Sequence, residues 1–389
     1  MKLVVFSHKP LWPSDHSPTG IATDGGFPIQ MRALAELFDR LTIVAPCGGP
    51  ANRPGEQPLA GPQLNVVPLT MPAGVGLRRK IALLGWLFAN LPVMIRELRR
   101  ADAVHAPIPG DIGTIGIALA LIAGKPLFVR HCGNWARRRT AAEHVWRWMM
   151  ESFAGGRRVM LATGGAPLPP SRKNPAVRWI FSTSMTEREM DEVERPAERT
   201  IPTRPRLIIV GRQERGKGTE AILRALPLLL DDFPGIALDI VGAGSALPEL
   251  RQESARWGLN DRVTFHGNVD HRKVMDLLMG ADLFCFPTGS EGFPKAVVEA
   301  MACGLPVITT KVSVLPRLVA GCGVLLDEVT PEDLAKAIGR CLSDPPQYRE
   351  MSAQAMSTAR QYTLERWRET LRGYLSAAWG ELSAKEREG

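Results

Sequence analysis

Short apolar runs alternate with longer stretches of helical periodicity from one end of the chain to the other. In the first half, strand-length runs fall at residues 3–6, 41–45, 64–69, 103–105, 127–130, 159–162 and 177–181, with helical patterns between them at 28–38, 77–100, 112–123 and 141–153. Strands alternating with helices predict a mostly parallel, doubly wound sheet, because two parallel strands need a crossover and a helix supplies it. The second half repeats the scheme. RLIIV at 206–210 leads through a glycine-rich basic loop into an apolar-periodic helix, ALDIV at 237–241 ends in a glycine turn, and VTFHGNV at 263–269 makes a further strand and loop. Residues 323–327 and helices over 331–362 complete a second sheet, and 364–382 predicts a last helix with Trp367, Leu371, Leu375 and Trp379 near helical spacing.

The stretch 281–310, ADLFCFPTGSEGFPKAVVEAMACGLPVITT, reads as strand, loop, helix, strand. Pro294 suits a first helical turn, where its missing N–H costs nothing, and Gly304 suits the position just past the end. Such a βαβ unit places its loop at the carboxyl ends of the strands, where open α/β sheets bind ligands, so Glu291 is expected at a binding crevice. The helix start offers backbone N–H groups and a positive dipole end to an anion, and Gly292 lets the backbone approach it. Glu299 follows about a turn and a half later. Two carboxylates flanking an anion-binding helix start suit a ligand with both phosphate and sugar hydroxyls, as in a nucleotide sugar.

The glutamates eight apart in EGFPKAVVE, followed by AMACGLPV, resemble the signature of glycosyltransferase family 4, retaining sugar transferases of GT-B architecture. The resemblance implies that Glu291 holds sugar hydroxyls, that Glu299 holds the ribose, and that Gly292, Phe293, Pro294 and Lys295 line the donor. In GRQERGKG, Arg212 and Lys217 flank the loop where a strand ends and a helix dipole begins, an arrangement that neutralises a diphosphate. It is similar to the family's Gly-Arg…Lys-Gly motif, in which the two cations hold the donor diphosphate. By the same resemblance Gly267 and Asn268 meet the nucleotide base, and the pair Gly25-Gly26 in the first loop faces the diphosphate. A histidine near position 105 contacts donor sugar or acceptor in many members, which makes His105 a candidate. Here Pro107 stands where a second histidine is frequent. His131, at the end of the next expected strand, is a weaker candidate of the same kind, and His266 reads as structural.

Charge is unevenly divided: residues 1–200 hold 25 Lys/Arg against 16 Asp/Glu, residues 201–389 hold 23 against 24, and the net formal charge is +8. A basic first half is compatible with an anionic substrate or an anionic membrane surface. The segment 77–100, with basic clusters around an apolar middle containing Trp86, has the composition of a helix lying on such a surface, and the arginines at 137–139 add to it. No interleaving of aromatic and basic residues points to nucleic acid. The six cysteines lack C-x-x-C spacing and read as reduced thiols, without a zinc site. The amino terminus is too short in apolar residues for a signal peptide, and the run 81–95 falls short of the about 20 residues that span a bilayer.

The expected protein is α/β and GT-B: two Rossmann-like domains facing a cleft, 1–195 on the acceptor side and 203–362 binding the nucleotide sugar, with 363–389 as a C-terminal helix crossing back to the first domain. The polar, proline-containing segment 196–205 is the expected linker. The expected reaction moves a sugar, hexosyl or N-acetylhexosaminyl, from a nucleoside diphosphate sugar to a glycan or lipid-linked acceptor in cell-surface polysaccharide or glycolipid synthesis. Retention of configuration, no cofactor and no metal are expected, since no Asp-x-Asp pair stands at a strand end. Glu291, His105, Arg212 and Lys217 are the catalytic candidates. The expected location is the cytoplasm or the inner face of the membrane. Alternatives are a GT-B nucleotide-sugar epimerase and an inactive basic protein bound to the membrane periphery.

Overall fold

The computed structural model describes residues 1–53, 56–74, 76–135, 140–193 and 200–383. The arginines at 137–139 and positions 196–199 of the expected linker lie outside them. The chain divides into two compact units, residues 1–181 with the C-terminal segment from Glu365, and Ser182–Leu364.

The first unit is built on a seven-stranded sheet in the order Val177–Ile180, Arg158–Thr163, Leu127–His131, Ala103–Ile108, Lys2–Phe6, Arg40–Pro46, Leu64–Leu69. Every neighbouring pair is parallel. Strands buried on both faces read as continuous apolar runs, which is why they were legible as such. One face packs Val4, Phe6, Val104, Ile108, Val129 and Met160 against the long helix Gly76–Arg100 and the helices Asp111–Ile122 and Ala141–Phe153. The C-terminal helix Leu364–Trp379 joins this unit, burying Trp367, Leu371 and Leu375. It is tied down by Trp379 Nε1 donating to Arg157 O at 2.9 Å and by an Arg368–Glu36 ion pair.

Beside the main sheet of the first unit lies an element that sequence did not predict. Trp12–Pro13, Ile21–Thr23 and Gln57–Pro58 form a small antiparallel sheet. Glu56 holds it, accepting from Trp12 Nε1 at 2.8 Å, from Arg53 N at 3.0 Å and from Ser14 Oγ. Strands of two or three residues give no periodic signal, so tertiary pairing decides them.

The second unit has a six-stranded, wholly parallel sheet in the order Val263–Gly267, Ala237–Val241, Arg206–Val210, Leu283–Phe286, Val307–Thr310, Gly323–Leu326. Two parallel sheets and a helix that returns to the first unit bear out the α/β expectation. Cys285, Cys303, Cys322 and Cys341 are buried, Cys132 is exposed, and all six cysteines are free. Among the described residues, no helix is long and apolar enough to cross a membrane.

Candidate functional site

In the second sheet the strand order reverses between Arg206–Val210 and Leu283–Phe286, which pair through Leu207 with Leu283 and Ile208 with Phe284. The loops leaving these two strands therefore emerge side by side at the carboxyl edge, the switch point where open α/β sheets take their ligands. One loop is Gly211–Gly218 and the other carries Glu291. They touch through the backbone, with Gly289 N donating to Gly216 O at 2.9 Å.

The first loop is pinned from below. Gln213, 1% exposed, donates to Gly211 O at 2.9 Å and Val241 O at 3.1 Å, and accepts from Thr219 Oγ1 at 2.7 Å. Gly218 is left-handed at φ +87° and heads the helix Thr219–Ala225; a Cβ there would stand 2.3 Å from Pro287 O of the neighbouring loop. That close approach sets Lys217 against Glu291. Lys217 Nζ lies 2.8 Å from Glu291 Oε2 and donates to Ser290 O at 3.2 Å, with both side chains about one-fifth exposed. An ammonium has three protons, so one remains for a ligand. Arg212 is exposed, and its side chain makes no hydrogen bond or ion pair with the described residues. Its charge helps keep the Glu214 carboxyl below the usual range, after the larger effect of the Ser245 hydroxyl.

The second loop is held by the following strand and the turn after it: Thr310 Oγ1 donates to Thr288 O at 2.6 Å, and Ser313 Oγ to Gly292 O at 2.9 Å. Ser313 adopts φ +53°, an uncommon conformation for a non-glycine residue. Glu291 Oε1 accepts from Gly292 N at 3.2 Å, which orients the carboxylate. Phe293 is buried with its ring 5.4 Å from that of Tyr362, so its side chain supports the loop. The helix Lys295–Ala302 starts after Pro294 with no side chain capping it. Glu299 lies within it, 7% exposed. Its Oε1 accepts from Ser184 Oγ at 2.5 Å and lies 3.9 Å from His271 Nδ1. Neither Ser184 nor His271 was singled out from sequence, because no local motif links residues so far apart.

The glycine turn after Ala237–Val241 packs on the first loop: a Cβ on Gly242 would meet Gly211 O at 2.0 Å. Gly242 N donates to Gly267 O at 2.7 Å, and Asn268 Oδ1 accepts from Ala243 N at 3.0 Å. Asn268 thus braces the turn with its oxygen and keeps its amide protons. His266 Nε2 donates to the buried Asp239 Oδ1 at 2.7 Å, a structural placement.

In the first unit, Gly25 (φ +65°) and Gly26 head the helix Phe27–Ala35, again without a side-chain cap. The expected place of His105 is corrected. The strand runs on to Ile108 through Pro107, leaving His105 in its middle, 1% exposed, stacked on Phe128 at 4.1 Å and bonded through Nδ1 to Phe128 O at 3.0 Å. Burial, and then the Arg130 charge, lower its pKa to about 3, so it is a neutral core imidazole. His131 does end its strand, also buried, and burial lowers its pKa.

Residues 190–358, nearly the whole second unit, match the family model for glycosyl transferases, group 1. Over those residues, less than half of the chain, the second unit is similar to the group 1 glycosyl transferases. The family resemblance read from the two glutamates is borne out. A D-inositol 3-phosphate glycosyltransferase of Segniliparus rotundus is 32% identical over 182 residues, 45% of this chain and 40% of that protein. The gpi3 subunit of the Schizosaccharomyces pombe phosphatidylinositol N-acetylglucosaminyltransferase is 28% identical over 138 residues, 36% of this chain and 30% of that protein. The chain thus spans less than half the length of either curated relative. Among solved structures, Anabaena Alr3699/HepE in complex with UDP and glucose superposes with a TM-score of 0.71 at 18% identity, covering 97% of this chain and 100% of that one. A likeness at that identity shows the fold, and the chain has the GT-B architecture.

Proposed function

We propose that this chain is a group 1 glycosyl transferase that moves a sugar, with retention of configuration, from a nucleoside diphosphate sugar to a glycan or lipid-linked acceptor. The observation that carries the reading is the Lys217–Glu291 pair at 2.8 Å, set by two touching loops at the switch point beside an uncapped helix start. The free ammonium proton of Lys217, the Arg212 guanidinium and the helix start receive the diphosphate, and their charge stabilises it as it leaves. Glu291, oriented by Gly292, accepts from sugar hydroxyls; Glu299 offers its second oxygen to the ribose; the loop at Gly267 and Asn268 meets the base. No enzyme nucleophile is required if the acceptor attacks on the face from which the diphosphate departs, the leaving phosphate taking the acceptor's proton. The pair of cations and the helix start perform the charge neutralisation that a metal performs elsewhere, so a metal-independent reaction is proposed.

The acceptor is assigned to the basic first unit, and the same unit is proposed to lie on an anionic membrane surface. The helix Gly76–Arg100 exposes Leu84 and Phe88, and Phe88, Leu91, Pro92 and Ile95 line a surface hollow with Arg96, Arg99 and Arg100. Apolar residues beside a row of arginines match acyl chains beneath charged headgroups.

The test is thermal stabilisation by a panel of UDP-, GDP- and ADP-sugars, since a ligand at a hundredfold its dissociation constant adds about 2.7 kcal/mol. Stabilisation by one donor, lost in Lys217→Ala, supports the reading; a flat response across the panel refutes it. Product analysis with the responding donor separates transfer to an acceptor from epimerisation, which would release an altered sugar with no acceptor present.

A further inference from the structure

Among its described residues, the first unit holds a cation with no counter-charge paired to it. Arg130 lies one residue before the end of the strand Leu127–His131. Residues paired across a parallel ladder share a face; Val5 pairs with His105 and His105 with Phe128, so Arg130, two residues on, shares the His105 face. Its side chain is 5% exposed, and both Nε and Nη1 are enclosed with no hydrogen-bond acceptor. The guanidinium carbon lies 5.4 Å from the ring centroid of Trp367, on the C-terminal helix. Trp367 is 1% exposed, and its Nε1 is likewise buried without an acceptor. Among the described residues no carboxylate pairs with Arg130.

Two buried groups from distant parts of the chain, in contact and both short of acceptors, call for a common partner. A neutral acceptor would satisfy the N–H groups and leave the charge uncompensated, among the most costly arrangements in a protein interior. The planar fork of a guanidinium takes two oxygens of an oxyanion, and an indole N–H needs a third; a phosphate group has that number and a carboxylate does not. The aromatic face meanwhile steadies the guanidinium. We propose that Arg130 and Trp367 form a receiving site, in the first unit, for a phosphate group, free or carried by a larger molecule.

The test is thermal shift in a Lys217→Ala background, which weakens anion binding in the second unit, with the Arg130 and Trp367 variants made in that same background so that any remainder cancels. Inorganic phosphate, glycerol 3-phosphate and dihexanoyl phosphatidic acid are titrated at constant ionic strength. The Lys217→Ala protein is expected to be stabilised by at least one of the three, and adding Arg130→Met to weaken that apparent affinity about tenfold to a hundredfold, the range for charged hydrogen bonds. Trp367→Phe keeps the ring and removes one donor, and is expected to weaken it several-fold; it carries the test should Arg130→Met not fold. Tightest binding of the inorganic ion, the glycerol ester or the lipid identifies a free phosphate, a phosphate monoester or a headgroup, each within the proposal. No stabilisation by any of them, or equal stabilisation of all three variants, overturns it. Loss of nucleotide-sugar binding in Lys217→Ala with the phosphate response intact shows that the two sites stand or fall separately.

Discussion

Two glycines of the Gly211–Gly218 loop provide a controlled pair of perturbations. Gly216 (φ +81°) and Gly218 (φ +87°) share the left-handed conformation, but a Cβ on Gly216 meets nothing within 4 Å whereas one on Gly218 stands 2.3 Å from Pro287 O and 2.6 Å from Pro287 Cγ. Gly216→Ala therefore bears only the backbone penalty, about 1–2 kcal/mol, which for a unit of this size lowers Tm by about 2–8 °C. Gly218→Ala bears the same penalty plus overpacking of about 1–3 kcal/mol. The larger consequence is geometric. To restore ordinary contact the two loops must part by about an ångström, carrying Lys217 away from Glu291, and a misplacement of that size costs about a hundredfold in rate. Both variants are measured by thermal unfolding and by kcat/KM for sugar transfer. Gly216→Ala is expected to keep turnover within a few-fold of the parent, and Gly218→Ala to lose about two orders of magnitude. Equal losses of stability and equal turnover in the two variants would refute the claim that the Gly218–Pro287 approach sets the site.

Lys217→Met removes the ammonium between Ser290 and Glu291 and is expected to lower kcat/KM about a hundredfold or more, as losing a preorganised donor to a developing charge does; an unchanged value would remove the proposed diphosphate contact. Ser184→Ala releases Glu299 Oε1 from its hydroxyl partner, and we expect the penalty for a 2′-deoxy donor, measured against the ribose donor, to shrink relative to the parent; an undiminished penalty would deny Ser184 a role in aiming Glu299. Asn268→Ala leaves Ala243 N without its acceptor and is expected to cost about 1 kcal/mol, read as a lower urea midpoint, while Asn268→Asp keeps an acceptor and loses less. His105 titrates near 3 in the folded chain against an ordinary 6.5, so between these values the unfolded chain binds the extra proton. Its contribution to stability is therefore lost as pH falls from 6.5 toward 3. Urea midpoints at pH 7.5 and 5 are expected to fall further for the parent than for His105→Phe, and parallel declines would show that His105 is not the neutral buried group described.

What could be read along the chain was what repeats or clusters within about ten residues. The parallel strands announced themselves as apolar runs because both faces of each sheet are covered. Glu291, the Gly-Phe-Pro turn and Glu299 fall within nine residues of one loop and helix, so their pattern survives in one dimension. Tertiary structure decided the rest. Lys217 meets Glu291 across 74 residues and Ser184 meets Glu299 across 115, contacts made by strand order and not by spacing. The apolar run reads as ending at His105, yet the ladder with Leu127–His131 continues through Pro107, which pairs with Arg130, to Ile108, which pairs with His131; this turns an expected edge histidine into a core one. Arg130, unremarkable in sequence, becomes a lone buried cation only when Trp367, more than two hundred positions on, closes over it. Periodicity reports which face of an element is covered, because that depends on the element alone. Which group does the covering is a property of the packed chain.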